Sequence, residues 1–199
     1  TSTTDELGHV TQYFYDALDR VIRTRDPDNG DTTFAYDAVG NLAELTDPVG
    51  NSTTYVYDAL DRVVRETNEL GAARTFAYDA VGNQIQRTDR NGRVTQYAYD
   101  PLWRLTSETW IGGGNTLQWT YDAVGNVLTA TDAFSSLTMT YDARDQLLAM
   151  DNAGTPEAPH VALTYTYDLV GNRLSLTDTI DGTAGGLNVY EYDALNRVT

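Results

Sequence analysis

The side chains that perform most protein chemistry are scarce in this chain, which has two histidines, His9 and His160, and no cysteine. Both histidines stand at or beside turn-forming sequence, where a solvated turn residue is the expected role. No serine lies in a nucleophile-elbow context, and the run Gly112 to Gly114 is not followed by Lys and Ser or Thr. Neither a hydrolase triad nor a phosphate-cradling loop is therefore expected. Aspartate is abundant, and Asp26-Pro27-Asp28-Asn29-Gly30-Asp31 is the best candidate for calcium. Its glycine sits at loop position 5 rather than 6 and no Glu follows at position 12, so the spacing fails for a calcium loop. The expectation is no catalytic residue, no metal and no cofactor.

What recurs instead is one dipeptide. Tyr-Asp occurs at Tyr15-Asp16, Tyr36-Asp37, Tyr57-Asp58, Tyr78-Asp79, Tyr99-Asp100, Tyr121-Asp122, Tyr141-Asp142, Tyr167-Asp168 and Tyr192-Asp193, in steps of 21, 21, 21, 21, 22, 20, 26 and 25 residues. A fixed period decides architecture before any local signal does. The aspartates occupy one slot at the start of a turn, which favours local bonds to backbone N–H groups over nine separate metal sites. The pairs are expected to act as a structural signature.

The elements that hold the pair follow from the residues around it. Two positions before each tyrosine stands a large side chain: Tyr13, Phe34, Tyr55, Phe76, Tyr97, Trp119, Met139, Tyr165 or Tyr190. Alternation with period two predicts a strand. A returning strand carries an apolar residue six or seven positions after the tyrosine, as at Val21, Leu42, Val63, Ile85, Leu105, Val127, Leu147 and Leu174. The first turn alternates along the chain as ALDR, AVGN, ALDR, AVGN, PLWR, AVGN, ARDQ, LVGN, ALNR, which predicts a double unit of about 42 residues. One turn class is expected to be tighter and the other to carry an Arg over the edge. The second turn reads TDxxG, as at Asp5 to Gly8, Asp47 to Gly50, Asp89 to Gly92 and, with one extra residue, Asp26 to Gly30. The stretches Asp151 to His160 and Asp178 to Gly186 are expected to project from a rim as lengthened loops.

Composition narrows the partners. A net charge of -16 opposes binding to nucleic acid or to an anionic membrane surface. No segment approaches the roughly 18 apolar residues that span a bilayer, so membrane insertion is not expected. All thirteen basic residues are arginine. The absence of cysteine excludes a disulfide framework. Both ends interrupt the pattern, as though the array continued in a longer protein.

A lone hairpin is marginal in water, so successive hairpins are expected to add edge to edge. The predicted fold is all-β: tandem antiparallel hairpins in one long, twisted and curving sheet, with residues 1–199 a single array. The segments GHVTQYFYDALDRVIRTRD and GRVTQYAYDPLWRLTSETW closely resemble the YD-repeat or Rhs-repeat family, whose unit is GxxTxYxYDxxGRLxxxTD. The resemblance implies a hollow shell that encloses a C-terminal toxin in bacterial toxin complexes and Rhs toxins, or serves adhesion in animal teneurins. It implies a secreted or surface protein whose partners are neighbouring repeats and an enclosed effector. Asp47-Pro48-Val49-Gly50 matches the family's DPxG cleavage-core string but occupies an ordinary turn slot. Asn51-Ser52-Thr53 fits a glycosylation sequon. The alternative is a surface module binding glycan or protein through rows of tyrosine.

Overall fold

In a computed structural model that describes all residues, Thr1–Thr199, the chain contains eighteen β-strands. It divides into two units, Thr1–Thr95 and Gln96–Thr199. The first holds β1 (Ser2–Thr4), β2 (Val10–Tyr15), β3 (Val21–Arg25), β4 (Asp31–Tyr36), β5 (Leu42–Thr46), β6 (Ser52–Tyr57), β7 (Val63–Thr67), β8 (Ala73–Tyr78) and β9 (Gln84–Thr88). The chain passes between the units within β10 (Val94–Tyr99). The second holds β11 (Leu105–Ile111), β12 (Asn115–Tyr121), β13 (Val127–Thr131), β14 (Ser136–Tyr141), β15 (Leu147–Asp151), β16 (Val161–Tyr167), β17 (Arg173–Ile180) and β18 (Thr183–Val189).

Within each unit, consecutive strands pair antiparallel. Seven of the strands that end in a signature tyrosine pair with the strand after them through a bulge at that tyrosine, as where Tyr36 faces Leu42 while Ala35 faces Glu44. The same shift recurs at Tyr15, Tyr57, Tyr78, Tyr121, Tyr141 and Tyr167. The partner is always the sixth residue after the tyrosine, even where that residue is Gln84 or Arg173. The apolar Ile85 and Leu174 therefore take the unpaired place in the bulge instead of facing the tyrosine. A bulge bends its strand and deepens the local twist, so these seven repeats introduce the same bend.

Side chains alternate between two faces. In β6, Tyr55 and Tyr57 are partly shielded while Thr54 and Val56 are exposed, and β4, β14 and β16 repeat the pattern. The exposed side in the second unit carries paired hydroxyls, Thr120 with Thr129 at 2.6 Å and Thr166 with Ser175 at 2.6 Å. No apolar residue is buried; the only buried residues are Thr95 and Asn115, both polar. The chain exposes 12903 Å², whereas a close-packed protein of 22.0 kDa exposes roughly 9,300 Å². Lateral contacts between rows and the hydrogen-bond ladder thus take the place of a core. Turn tips are strongly apolar: Leu18, Val39, Leu60 and Val81 stand along one rim of the first unit at 66–77% exposure, and Leu102 and Val124 occupy the equivalent turn positions in the second at 62% and 72%.

Two stretches differ from the expected loops. Asp178 to Gly186 is not a projecting loop, because β17 and β18 run on through it to a two-residue reversal at Asp181 (φ 50) and Gly182 (φ 77). Paired positive φ values suit the right-handed twist of a tight hairpin, so the longer step is taken up by longer strands. Asp151 to His160 is a longer connection, yet it is tied down: the Ser136 N–H donates to the Thr155 hydroxyl at 2.9 Å and that hydroxyl donates to the Ser136 carbonyl at 3.1 Å. The Asp26 turn has no extra residue either. Asn29 (φ 67) takes the left-handed slot that glycine fills at Gly50, and Gly30 takes the slot of Asn51.

The β17–β18 hairpin depends on a second bulge, between Thr177 and Thr179, where the Gly186 N–H donates to Asp178 Oδ1 at 2.7 Å. A Cβ on Gly185 would lie 2.0 Å from Asp178 Oδ2. Gly185→Ala is expected to destabilise this hairpin by about 1–3 kcal/mol through overpacking, read as faster amide exchange in β17 and β18. Adding Asp178→Ala should recover part of the loss; equal exchange in all three proteins would contradict the assignment.

Candidate functional site

The repeated Tyr-Asp pairs bring the most side-chain chemistry together, and each member is committed locally. The aspartate closes its own turn. In Asp16-Ala17-Leu18-Asp19-Arg20 the Asp16 N–H donates to the Arg20 carbonyl at 3.0 Å and the Asp19 N–H to the Asp16 carbonyl at 3.2 Å. Asp16 Oδ1 meanwhile accepts the N–H groups of Leu18 at 2.8 Å and Arg20 at 3.0 Å. Asp37 does the same for Val39, Gly40 and Asn41. Both turn classes therefore have the same size and backbone bonding, and neither is tighter.

They differ at the fourth and fifth residues. Odd turns place a non-glycine residue at positive φ, namely Asp19, Asp61, Trp103, Asp145 and Asn196, whereas even turns place Gly40, Gly82, Gly125 or Gly171 there. The odd-turn arginine does not overhang the edge. Arg62 Nε donates to its own Asp58 Oδ2 at 2.8 Å, its guanidinium lies 4.6 Å from the Tyr78 ring centroid, and Nη1 donates to the Asp79 carbonyl at 3.1 Å. Arg104 repeats this with Asp100, Tyr121 and the Asp122 carbonyl. The even-turn asparagine also reaches forward to the next turn: Asn41 Nδ2 donates to Asp61 Oδ1 at 2.8 Å and Asn126 Nδ2 to Asp145 Oδ1 at 2.9 Å. Within each unit, successive turns are thus linked as a relay, Asn41 to Asp61 and Arg62 to Asp79 in the first, Arg104 to Asp122 and Asn126 to Asp145 in the second. Sequence reasoning did not assign these bonds, although the alternation at the fifth position was their visible signal.

The tyrosine joins one hairpin to the next. Its hydroxyl donates to the carbonyl of the first residue in the preceding return strand: Tyr36 to Val21 at 2.7 Å, Tyr57 to Leu42 at 2.8 Å, Tyr78 to Val63 at 2.9 Å and Tyr121 to Leu105 at 2.7 Å. Tyr141, Tyr167 and Tyr192 repeat it with Val127, Leu147 and Arg173. The backbone ladder between neighbouring hairpins explains the need. It holds three residue pairs, as in Arg23 with Thr33, Thr24 with Thr32 and Arg25 with Asp31, and stops before the rim. The strands splay beyond it, and a phenol is long enough to supply the missing donor to an otherwise orphaned carbonyl. At the first copy, the Thr1 hydroxyl donates to the Tyr15 hydroxyl at 3.1 Å.

Other candidate residues lie apart from one another. His9 Nδ1 is 3.0 Å from Asp5 Oδ2, and His160 Nε2 is 2.9 Å from Asp151 Oδ1, both on exposed turns. Asp47 Oδ1 accepts the Val49 and Asn51 N–H groups, so Asp47 to Gly50 forms a turn of the same kind. The Asn51 amide of the sequon donates to Asp47 Oδ2 at 2.8 Å. In the calcium candidate, Asp26 serves its own turn while Asp31 is gripped by Arg23 and Arg25.

These bonds set the acid response. All nine signature aspartates have carboxyls held below the ordinary range. Shielding from water opposes the shift, and at Asp37, Asp79, Asp100, Asp122 and Asp168 it is the largest single effect; the hydrogen bonds together outweigh it. The Arg25 side chain lowers Asp31 to about 2, and the Asn115 amide followed by the Phe134 N–H lowers Asp132 to about 2. Depressed carboxyls stabilise the fold above their unfolded value of about 4 and lose that effect as pH falls through the folded values. The melting temperature should hold near neutrality and drop between about pH 4 and pH 2; a constant value down to pH 2 would contradict this. Tyr57→Phe should cost about 1 kcal/mol by removing the bond to Leu42, measured by urea unfolding, and an unchanged midpoint would show that the bond carries nothing.

The RHS Repeat family model matches residues 1–35, 36–73, 78–109 and 121–157. No curated protein sequence matches the chain. Among solved structures, the crystal structure of TcdB2-TccC3-Cdc42 is similar with a TM-score of 0.80 at 18% identity, over 96% of this chain and 12% of that one. The Photorhabdus luminescens Tc holotoxin pore carrying a TccC3 mutation is similar with a TM-score of 0.78 at 19% identity, again over 96% of this chain and 12% of that one. At such identities the likeness is one of fold, and the chain spans about an eighth of those much longer proteins. Because the four family matches cover well over half of its residues, the chain belongs to the RHS repeat family.

Proposed function

We propose that residues 1–199 are a single repeat array serving as non-catalytic wall in a longer secreted or surface protein, where the wall encloses a C-terminal effector. The YD residues are its structural signature. One observation carries the proposal: the reactive ends of the repeated pair are consumed in holding the array. Seven signature hydroxyls are bound to a neighbouring hairpin, and the signature carboxylates accept the N–H groups of their own turns. Tyrosine rings that a glycan would stack on are covered at Tyr36, Tyr78 and Tyr121 by arginine, which favours wall over lectin. The apolar turn tips suit a rim packed against further protein. Membership of a repeat family supports the same reading, as does the likeness in fold to Tc toxin components.

The test uses the full-length parent protein under limited proteolysis. Segments downstream of the array should resist protease while the array is folded and become cleavable when acid opens it. Cleavage of the downstream segment at the same rate in both states would contradict enclosure.

A further inference from the structure

Charge is distributed unevenly in this acidic chain. Most arginines are compensated one to one or by a shared carboxylate: Arg20, Arg62, Arg104 and Arg197 bind their own turn aspartates, and Arg93 binds Asp89. One place in the first unit reverses the balance. Glu66 is directly opposite Tyr55 on one side and Arg74 on the other, and Phe76, two residues along from Arg74, is directly opposite Arg87. The Arg74 guanidinium donates to Glu66 Oε1 at 2.9 Å, and Arg90 folds back from the next turn to bind the same oxygen. Arg74 Nε is shielded and has no acceptor. Arg87 is exposed and takes part in no ion pair or hydrogen bond. Two guanidiniums thus share the single carboxylate of Glu66, and a third, that of Arg87, stands beyond Phe76 with no carboxylate of its own, on the aromatic side of the sheet.

We propose that this cluster docks an extended acidic peptide, whose carboxylates are received by Arg87 and the exposed edge of Arg74 while its chain lies over Tyr55 and Phe76. The class of ligand follows from the chemistry. Carboxylate is the anion this chain already receives with paired arginines, at Glu66 and again at Asp31, where Arg23 and Arg25 converge. The guanidiniums are spread over an open sheet face and do not converge into a cage, so a lone small anion would keep most of its water. A peptide with several carboxylates can meet Arg87 and Arg74 together and cover the aromatic rings as well. The overall charge of -16 repels such a peptide at long range, so docking should be seen best at about 0.15 M salt, where charges beyond about 8 Å are screened.

The experiment is fluorescence anisotropy with the complete 199-residue chain and a labelled peptide alternating Glu with Ser. Its controls are the same peptide with Gln for Glu, and inorganic phosphate as competitor. Saturable binding of the Glu peptide alone is expected, weakened about tenfold by Arg87→Gln and unchanged by Arg93→Gln. Arg87 holds no partner, so Arg87→Gln should melt like the parent chain. Equal binding of the Gln peptide, no saturation, or indifference to Arg87→Gln would overturn the proposal. Displacement by phosphate at the peptide's own concentration would overturn it too, by revealing a small-anion site.

Discussion

A tyrosine hydroxyl reaching across to the carbonyl of the preceding hairpin is the interaction on which this architecture depends. Within a hairpin, strands are joined by a turn and four residue pairs; between hairpins, Arg23 to Arg25 pair with Asp31 to Thr33 and the ladder ends. Past that point the strands part, and only a side chain spans the gap. Tyrosine suits it because its ring fills the space between rows while its hydroxyl reaches a backbone acceptor. Phenylalanine would fill the space and leave the carbonyl bare.

The aspartate that follows is a different kind of device. It fixes five residues in one conformation, so each return strand starts at the same point and presents the same carbonyl to the next tyrosine. The bulge belongs to this arrangement, since it sets Tyr36 against Leu42 and leaves the residue between unpaired. Along the rim, Arg62 over Tyr78 and Asn41 on Asp61 tie successive turns together. With no buried apolar side chain, this protein is held by many modest polar bonds repeated at fixed intervals, each contributing on the order of 1 kcal/mol. Stability in such an array is a sum over units and their junctions.

The strands, their antiparallel pairing and the turn positions were legible because they follow from period two and from the fixed places of Asp, Gly and Asn. What sequence did not disclose were choices between equivalent local solutions. Asp178 to Gly186 is rich in turn formers, yet Gly185 and Gly186 serve a bulge that makes room for the Asp178 carboxylate, and the strands continue. Asn29-Gly30 resembled an insertion because glycine was assumed to hold the left-handed slot, which asparagine also tolerates. The partner of each tyrosine is set by backbone register, so Gln84 and Arg173 occupy places where an apolar residue was expected. The arginine and asparagine relay joins residues about twenty apart, and only the three-dimensional rim brings them together. Docking at Arg87 was equally hidden, since its meaning lies in neighbours on other strands.

Junction coupling can be measured directly by comparing arrays of increasing repeat number, one series with tyrosine at each signature position and one with phenylalanine. Urea unfolding of each member gives the gain in stability per added repeat. If the hydroxyl-to-carbonyl bond joins hairpins as described, the gain per repeat falls in the phenylalanine series by about 1 kcal/mol for each junction. Two series with the same gain would contradict it.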